Sequence, residues 1–124
     1  MGIFAVKRAK PGIKFDLKAG NGEIIASSEI YSSDAACRKG IESVRRNAVV
    51  ANLEDQTEEG FAKAIHPKFE LYLDAAGEFR FRLKAKNGEA IASSEGYMSK
   101  AACLNGIESV RQNAPDAEIF YVEP

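Results

Sequence analysis

Asn21-Gly-Glu-Ile-Ile-Ala-Ser-Ser-Glu-Ile-Tyr31 returns at Asn87-Gly-Glu-Ala-Ile-Ala-Ser-Ser-Glu-Gly-Tyr97, an offset of 66 residues. The same offset carries Ala35-Ala-Cys37 and Asn47-Ala48 onto Ala101-Ala-Cys103 and Asn113-Ala114, so that 21 of 28 positions are identical. That is an internal duplication. Upstream the copies have drifted: Phe15, Leu17 and Lys18 still meet Phe81, Leu83 and Lys84, while Phe4 meets Phe69 only after one residue is dropped from the first copy. A period of about 60 to 66 residues, present twice, disfavours an open solenoid and favours two units closing on each other about a pseudo-dyad.

The second copy shows the local pattern most clearly. Phe69-Glu-Leu-Tyr-Leu73 and Glu78-Phe-Arg-Phe-Arg-Leu-Lys84 alternate apolar and polar residues around the turn Asp74–Gly77, which predicts two half-buried strands. Asn87-Gly88 then leads into a third strand over residues 90 to 94. An Asn-Gly pair suits a two-residue type I′ turn, which would set Leu83 opposite Ala92 on one face and Lys84 opposite Ile91 on the other. A bulge beside Asn87 would bring Ile91 under the core instead, and both registers fit the pattern.

Ser33 and Ser99 are N-cap candidates for helices reaching to about residues 47 and 113, with Pro115 supporting the second stop. Cys37, Gly40, Ile41, Val44 and Ala48, and their copies Cys103, Gly106, Ile107, Val110 and Ala114, fall on one apolar stripe of the kind that lies on a sheet. Glycine inside such a stripe costs about 1 kcal/mol relative to alanine, so close approach of the sheet or of the other helix to the backbone is expected there. A fourth strand follows each helix, over 51–55 and 117–122, giving β-β-β-α-β twice.

The chain has 124 residues and 13.5 kDa, 45% hydrophobic and 28% charged, as in an ordinary soluble domain. One unit of about 60 residues is marginal alone, because one helix covers one face of a small sheet, and pairing the two units extends the buried core. The domain reading is therefore repeat one over residues 1–57, a link over 58–67 and repeat two over 68–124, forming a single pseudo-symmetric body expected to be monomeric. The net charge of −1 is the sum of a +2 first copy, a −1 link and a −2 second copy, so no global field draws the molecule to nucleic acid or an acidic membrane. The apolar run Ile3–Val6 ends at Lys7 and Arg8, far short of a signal core or a membrane span, which predicts a cytoplasmic protein without membrane attachment.

Asn-Gly-Glu-x-Ile-Ala-Ser-Ser-Glu-x-Tyr followed by Ala-Ala-Cys-x-x-Gly-Ile-Glu-Ser-Val-Arg resembles the tandem-repeat YegP-like family, small bacterial proteins built on a domain of unknown function. The resemblance covers nearly the whole chain and departs from it at Ala5–Pro11, where the first copy lacks the pattern of Phe69–Gly77. It implies an α+β fold of two tandem β(3)-α-β repeats in one antiparallel sheet, with two helices on one face and the last strands exchanged between repeats. It implies no activity, substrate or catalytic residue.

The residues themselves offer few chemical constellations. Arg80, Arg82 and Lys84 project opposite Phe79, Phe81 and Leu83, and Lys14 and Lys18 flank Asp16 in the first copy, so the helix-free face presents cations together with an outward Tyr72. Such a face suits phosphates or acidic proteins, with Tyr72 as a stacking platform. Its plainer reading is a solvated sheet whose cations pair with Glu70, Glu89 or Glu95. Cys37 and Cys103 would meet only if the helices abut, and burial as reduced thiols is the simpler expectation. A zinc site needs about four converging ligands, which two cysteines and the single histidine, His66, do not supply. Ser27-Ser28-Glu29 and Ser93-Ser94-Glu95 bring nucleophile and carboxylate types together without a fixed base. Glu42 with Arg45 and Glu108 with Arg111 have the spacing of surface ion pairs.

The expected function is accordingly that of a non-catalytic binding module acting through its open sheet face or exposed edges, with no cofactor or metal. The partner is left open, with a protein as one candidate, and nucleic acid is disfavoured. The alternative is an enzyme or small-ligand binder with a site at the inter-repeat junction, where Tyr31, Tyr97, Glu29 and Glu95 would converge.

Overall fold

The computed structural model describes residues 2–122. In chain order its elements are β1 (Ile3–Ala9), β2 (Gly12–Lys18), β3 (Ile24–Ser27), α1 (Asp34–Ala48) and β4 (Asn52–Asp55), then β5 (Lys68–Leu73), β6 (Phe79–Lys84), β7 (Ala90–Ser93), α2 (Lys100–Asn113) and β8 (Glu118–Tyr121). The first copy thus also begins with a hairpin, although Ala5–Pro11 lacks the pattern of Phe69–Gly77, and its loop is the pair Lys10-Pro11 where the second copy has residues 74–78. Alternate residues of β1 still face inward: Phe4 and Val6 are buried opposite Leu17 and Phe15.

All eight strands join one sheet in the order β4-β5-β6-β7-β3-β2-β1-β8. The five inner pairings are antiparallel and the two outermost, β4 with β5 and β1 with β8, are parallel, so the sheet is mixed where the family resemblance implied an antiparallel one. The parallel pairs arise because the last strand of each unit leaves its own repeat. β4 follows α1 yet lies beside β5 of the second copy, and β8 follows α2 yet lies beside β1 of the first. At the centre Ser27 of β3 pairs with Ser93 of β7, its own equivalent in the repeat, which puts the pseudo-dyad between them.

Each helix starts on its predicted cap: the Ser33 hydroxyl accepts the Ala36 N–H and the Ser99 hydroxyl accepts the Ala102 N–H, both at 3.1 Å. Cys37, Ile41, Val44 and Ala48 share one core with Cys103, Ile107, Val110 and the inward residues of the strands. α1 packs on β2 and reaches β7, and α2 packs on β6 and reaches β3, so each helix braces both units from the same side. The closest approach at Gly40 and Gly106 comes from tyrosines of the helix-entry segments, and Phe81 of β6 is a further close neighbour of Gly106. A Cβ at either position would collide with the hydroxyl of Tyr31 or Tyr97, whose rings stack on Phe15 and Phe81.

The Asn-Gly loops are three-residue turns, not type I′ pairs. The Gly22 N–H returns to the Ala19 carbonyl and the Ala19 N–H to that of Glu23, and only Gly22 has positive φ, at 88°. Gly88 repeats this between Ala85 and Glu89. A type I turn closed by a left-handed glycine needs no positive φ at the asparagine. Leu83 does pair with Ala92, and a bulge next in register leaves Ile91 buried as well. No helix among the described residues is long and apolar enough to cross a membrane.

Candidate functional site: the helix-free face of the sheet

Side chains alternate across a strand, so the residues opposite the core line the uncovered face. One register row crosses it completely: Phe120, Ala5, Asp16, Ser27, Ser93, Arg82, Glu70 and Glu54, from β8 to β4. Two carboxylates in this row organise the cations around them.

Asp16 is buried and accepts a hydrogen bond from the Ser27 hydroxyl at 2.6 Å, with the Lys7 ammonium at 2.9 Å and that of Lys14 at 3.3 Å. Burial pushes its pKa up, but the Ser27 hydrogen bond and the two lysines outweigh that and hold it below the usual aspartate value. Glu70 is the hub of the other half, paired with Arg82, with Lys68 at 3.3 Å and with Lys84 at 3.9 Å. Its pKa is lowered for the same reason, the desolvation of the carboxyl being overcome by Arg82 and Lys68. Beyond it Lys68 joins Glu54 at 2.7 Å, both buried, and Glu54 also accepts from the Gln56 side chain and the Ala64 N–H. Burial works against the Glu54 anion, yet these donors bring its pKa down to about 2. The hydrogen bonds that the Lys68 ammonium donates to Glu54 and Glu70 raise the pKa of that lysine.

The sequence-predicted residues all lie on or beside this network. Lys14 belongs to Asp16, Arg82 and Lys84 to Glu70, and Arg80 to Asp74 and the Ser94 carbonyl. Lys18 stands between Ile3 and Ile24 in the ladder and has no carboxylate partner among the described residues. Tyr72 is outward, but the Arg82 guanidinium lies 4.2 Å from its ring centroid and covers the face that would stack a base. Of the three glutamates expected to pair with the cations, Glu70 does, whereas Asp16, Glu54 and Asp74 take the places of Glu89 and Glu95. The alternation in Lys68-Phe-Glu-Leu-Tyr72 already puts Lys68 and Glu70 on Tyr72's face. Glu54 is brought there by the parallel partnership of β4, which no local pattern signals.

The other constellations are placed by the fold. Ser28 and Ser94 are buried, and each hydroxyl accepts a strand N–H, of Phe15 or Phe81 at 2.9 Å, while donating to the carbonyl of the next residue. Their lone pairs and protons are spent on tying β2 and β6 to the helix-entry segments. Tyr31 and Tyr97 are bridged to Ile13 and Phe79 of their own units and stand on opposite sides of the β3–β7 pair, so they do not converge. Burial raises the Tyr31 phenol to about 12 and moves Tyr97 the same way. Cys37 and Cys103 are free and buried, and burial pushes their thiols up, Cys103 to about 11.

Arg45 and Arg111 are more than surface ion-pair partners. Arg45 pairs with Glu42, but its other nitrogen donates to the Ala117 carbonyl of the second copy and its guanidinium lies 5.6 Å from the Phe4 ring centroid. Arg111 donates to the Ala48 carbonyl of the first copy at 3.0 Å and lies 4.9 Å from the ring centroid of Phe69. The two arginines clasp one repeat to the other. A groove of about 480 Å³ opens at the first copy, between the β1–β2 turn and the start of α1, lined among others by Lys7, Arg8, Ser33, Asp34 and Tyr121.

The family model described as "Domain of unknown function (DUF1508)" matches residues 2–55 and again 74–120. The chain is 40% identical over 114 residues to the UPF0339 protein YegP of Yersinia pestis, covering 91% of this chain and 88% of that one. It is 66% identical over 55 residues to a UPF0339 protein of Treponema denticola, which takes in 44% of this chain and 95% of that protein, a chain no longer than about one copy. The solution structure of the protein of unknown function yegP from E. coli superposes with a TM-score of 0.77 at 34% identity, over 97% of this chain and 91% of that one.

Proposed function

The chain belongs to the DUF1508 family, a domain of unknown function, and from that premise we propose that it is a non-catalytic cytosolic module that docks an acidic surface of a partner protein on its helix-free sheet face. The observation that supports this reading is the charge of that face. Lys7, Lys14, Lys18, Lys68, Arg80, Arg82 and Lys84 gather there against Asp16, Glu54, Glu70, Asp74 and Glu118, a surplus of two cations within a protein of net charge −1. Such a surplus steers an acidic partner and fixes its orientation more than it adds affinity.

Nucleic acid is the disfavoured partner, because the net charge of −1 gives no global attraction to phosphates and Tyr72, the residue placed to stack a base, is covered by Arg82. In this reading the molecule is a monomer of pseudo-two-fold symmetry, with repeats at 1–57 and 68–124 and the link at 58–67. Lys18 and Lys84 are equivalent residues and are the face cations least engaged by the fold. Crosslinking and affinity capture from the native cell, comparing the parent with Lys18→Glu/Lys84→Glu, tests the reading. A specific partner is expected to be lost from the variant while its thermal midpoint stays within a few degrees. Recovery of the same proteins in equal yield would sink it.

A further inference from the structure

We infer that the free edge of β8 accepts an extended segment of a partner protein, with acidic and apolar residues in alternation, as a ninth strand. This concerns a different surface from the sheet face and does not depend on that reading. The Val122 N–H donates to the Val6 carbonyl at 2.8 Å. Backbone groups of successive strand residues point to opposite edges, so the N–H and C=O of Ile119 and Tyr121 point away from β1. Unpaired strand edges are normally blunted by charge, by proline or by covering chain. Here the strand is Glu118-Ile-Phe-Tyr121 followed by Val122, with Phe120 57% and Val122 41% exposed.

The opposite edge of the sheet shows what blunting looks like in this fold. The equivalents of Phe120, Tyr121 and Val122 in β4 and just after it are Glu54, Asp55 and Gln56. There the chain turns back on itself: the Glu58 N–H faces the Asp55 carbonyl, Lys100 holds Asp55 at 2.8 Å and also pairs with Glu58, and Ala64 bonds to Glu54. Among the described residues no segment does this for β8.

The chemistry of the occupant follows from the two sides of the edge. On the helix side Tyr121 donates to Asp34 at 2.9 Å, and the Arg38 guanidinium lies 5.4 Å from its ring centroid. Arg38, Lys39, Glu42 and Arg46 line a shallow groove along this flank of α1. The residues equivalent to those three cations on α2 are Leu104, Asn105 and Gln112, so α2 has no such flank, whereas on α1 the three cations outnumber Asp34, which pairs with Arg38, and Glu42 by one. On the other side the edge offers Phe120 and Val122. A strand added here directs alternate side chains to the two faces, and acidic residues towards Arg38 and Arg46 with apolar ones against Phe120 satisfy both.

The test uses the full chain and two capped eight-residue peptides, one alternating glutamate and valine, the other lysine and valine. The glutamate peptide is expected to bind at least tenfold more tightly and to slow amide exchange at Ile119 and Tyr121. Arg38→Glu/Arg46→Glu should reverse the preference, Phe120→Lys should weaken both peptides, and Lys18→Glu/Lys84→Glu should bind as the parent does. Equal affinity for both peptides, or binding that leaves those two amides unprotected, would overturn the inference. So would protection of both amides without peptide as protein concentration rises, since a second copy would then be the occupant.

Discussion

At one end of the sheet the outer two strands carry Glu54, Lys68 and Glu70, and at the other the equivalent positions are Phe120, Ile3 and Ala5. The backbone is the same, with an exchanged last strand running parallel to a first strand, yet one end is a buried ionic cluster and the other an apolar edge. Both ends keep the inward residues: Phe4 and Val6 face the helices as Phe69 and Leu71 do. Packing against the helices holds the repeats alike, and the uncovered face is where they were free to diverge. The polar end is the one the link crosses, through the bond from Ala64 to Glu54.

Removing the centre of that cluster has the largest expected effect. Lys68→Met leaves Glu54 and Glu70 buried without their shared cation, and breaking a buried pair in this way costs about 3 kcal/mol or more. Ile3→Ala at the matching position of the other end trims a half-buried side chain and should cost about 1 kcal/mol. Urea unfolding of the two variants measures the contrast, and equal losses would mean that the cluster carries no particular weight.

Acid separates the ends next. The folded pKa of Glu54, about 2, lies below the ordinary glutamate value of 4.5, so its stabilisation is complete above 4.5 and is lost as pH falls towards 2. Asp16 and Glu70 are shifted in the same direction. The midpoint of thermal unfolding should therefore fall steeply below pH 4.5, and Glu54→Gln should start lower at neutral pH and fall less. A parallel descent of the two curves would show that Glu54 is not the group being titrated.

The tyrosine contacts are alike in both repeats and test the shared part of the design. In Gly106→Ala the gain in helix propensity, about 1 kcal/mol, is opposed by overpacking against Tyr97, typically 1–3 kcal/mol, for a net loss of about 1 kcal/mol. Gly40→Ala meets Tyr31 and should behave alike. Adding Tyr97→Phe to Gly106→Ala should recover part of the loss, because the hydroxyl is the nearest atom to the new Cβ while the ring carbon behind it and Phe81 stay close. Additive effects in that cycle would place the cause elsewhere.

These cases also show what was legible in the chain. The serine caps, the helix stripes and the strands of the second copy are local patterns, and all appear where the sequence puts them. Gly40 and Gly106 announced a close approach but not its source, because a tyrosine about nine residues upstream does not share the helix period. Asn-Gly is compatible with two turns that differ in loop length and in whether the asparagine takes positive φ. The Glu54–Lys68 pair and the Arg45 and Arg111 clasps join segments brought together by strand exchange, and periodicity says nothing of such pairings. On the face itself, the alternation located the cations, whereas their carboxylate partners depended on register.

The arginine clasps rank with the tyrosine contacts in size. Arg45→Ala and Arg111→Ala each remove a charged hydrogen bond to a carbonyl of the other repeat and a cation over a phenylalanine ring, for a loss of about 1 to 2 kcal/mol. The two should match within about 0.5 kcal/mol if the repeats grip each other symmetrically. A loss confined to Arg45 would make the Ala117 contact, beside the apolar edge, the dominant clasp.

The smallest effect is expected where the asymmetry is most visible. Phe120→Glu gives the β8 end the residue that Glu54 places at the other, yet no Lys68 faces it: its neighbour on β1 is Ala5. Since Phe120 is 57% exposed, the loss of burial is slight, and a glutamate there stays in water at its ordinary charge state. Stability should change by no more than about 0.5 kcal/mol, and no new acid transition should appear. If the variant instead gains a steep fall below pH 4.5 like that expected for the β4 end, the ionic cluster is set by the position in the sheet. If it does not, the cluster belongs to Lys68 and to the link that crosses it, and the two ends differ by what was added to one of them.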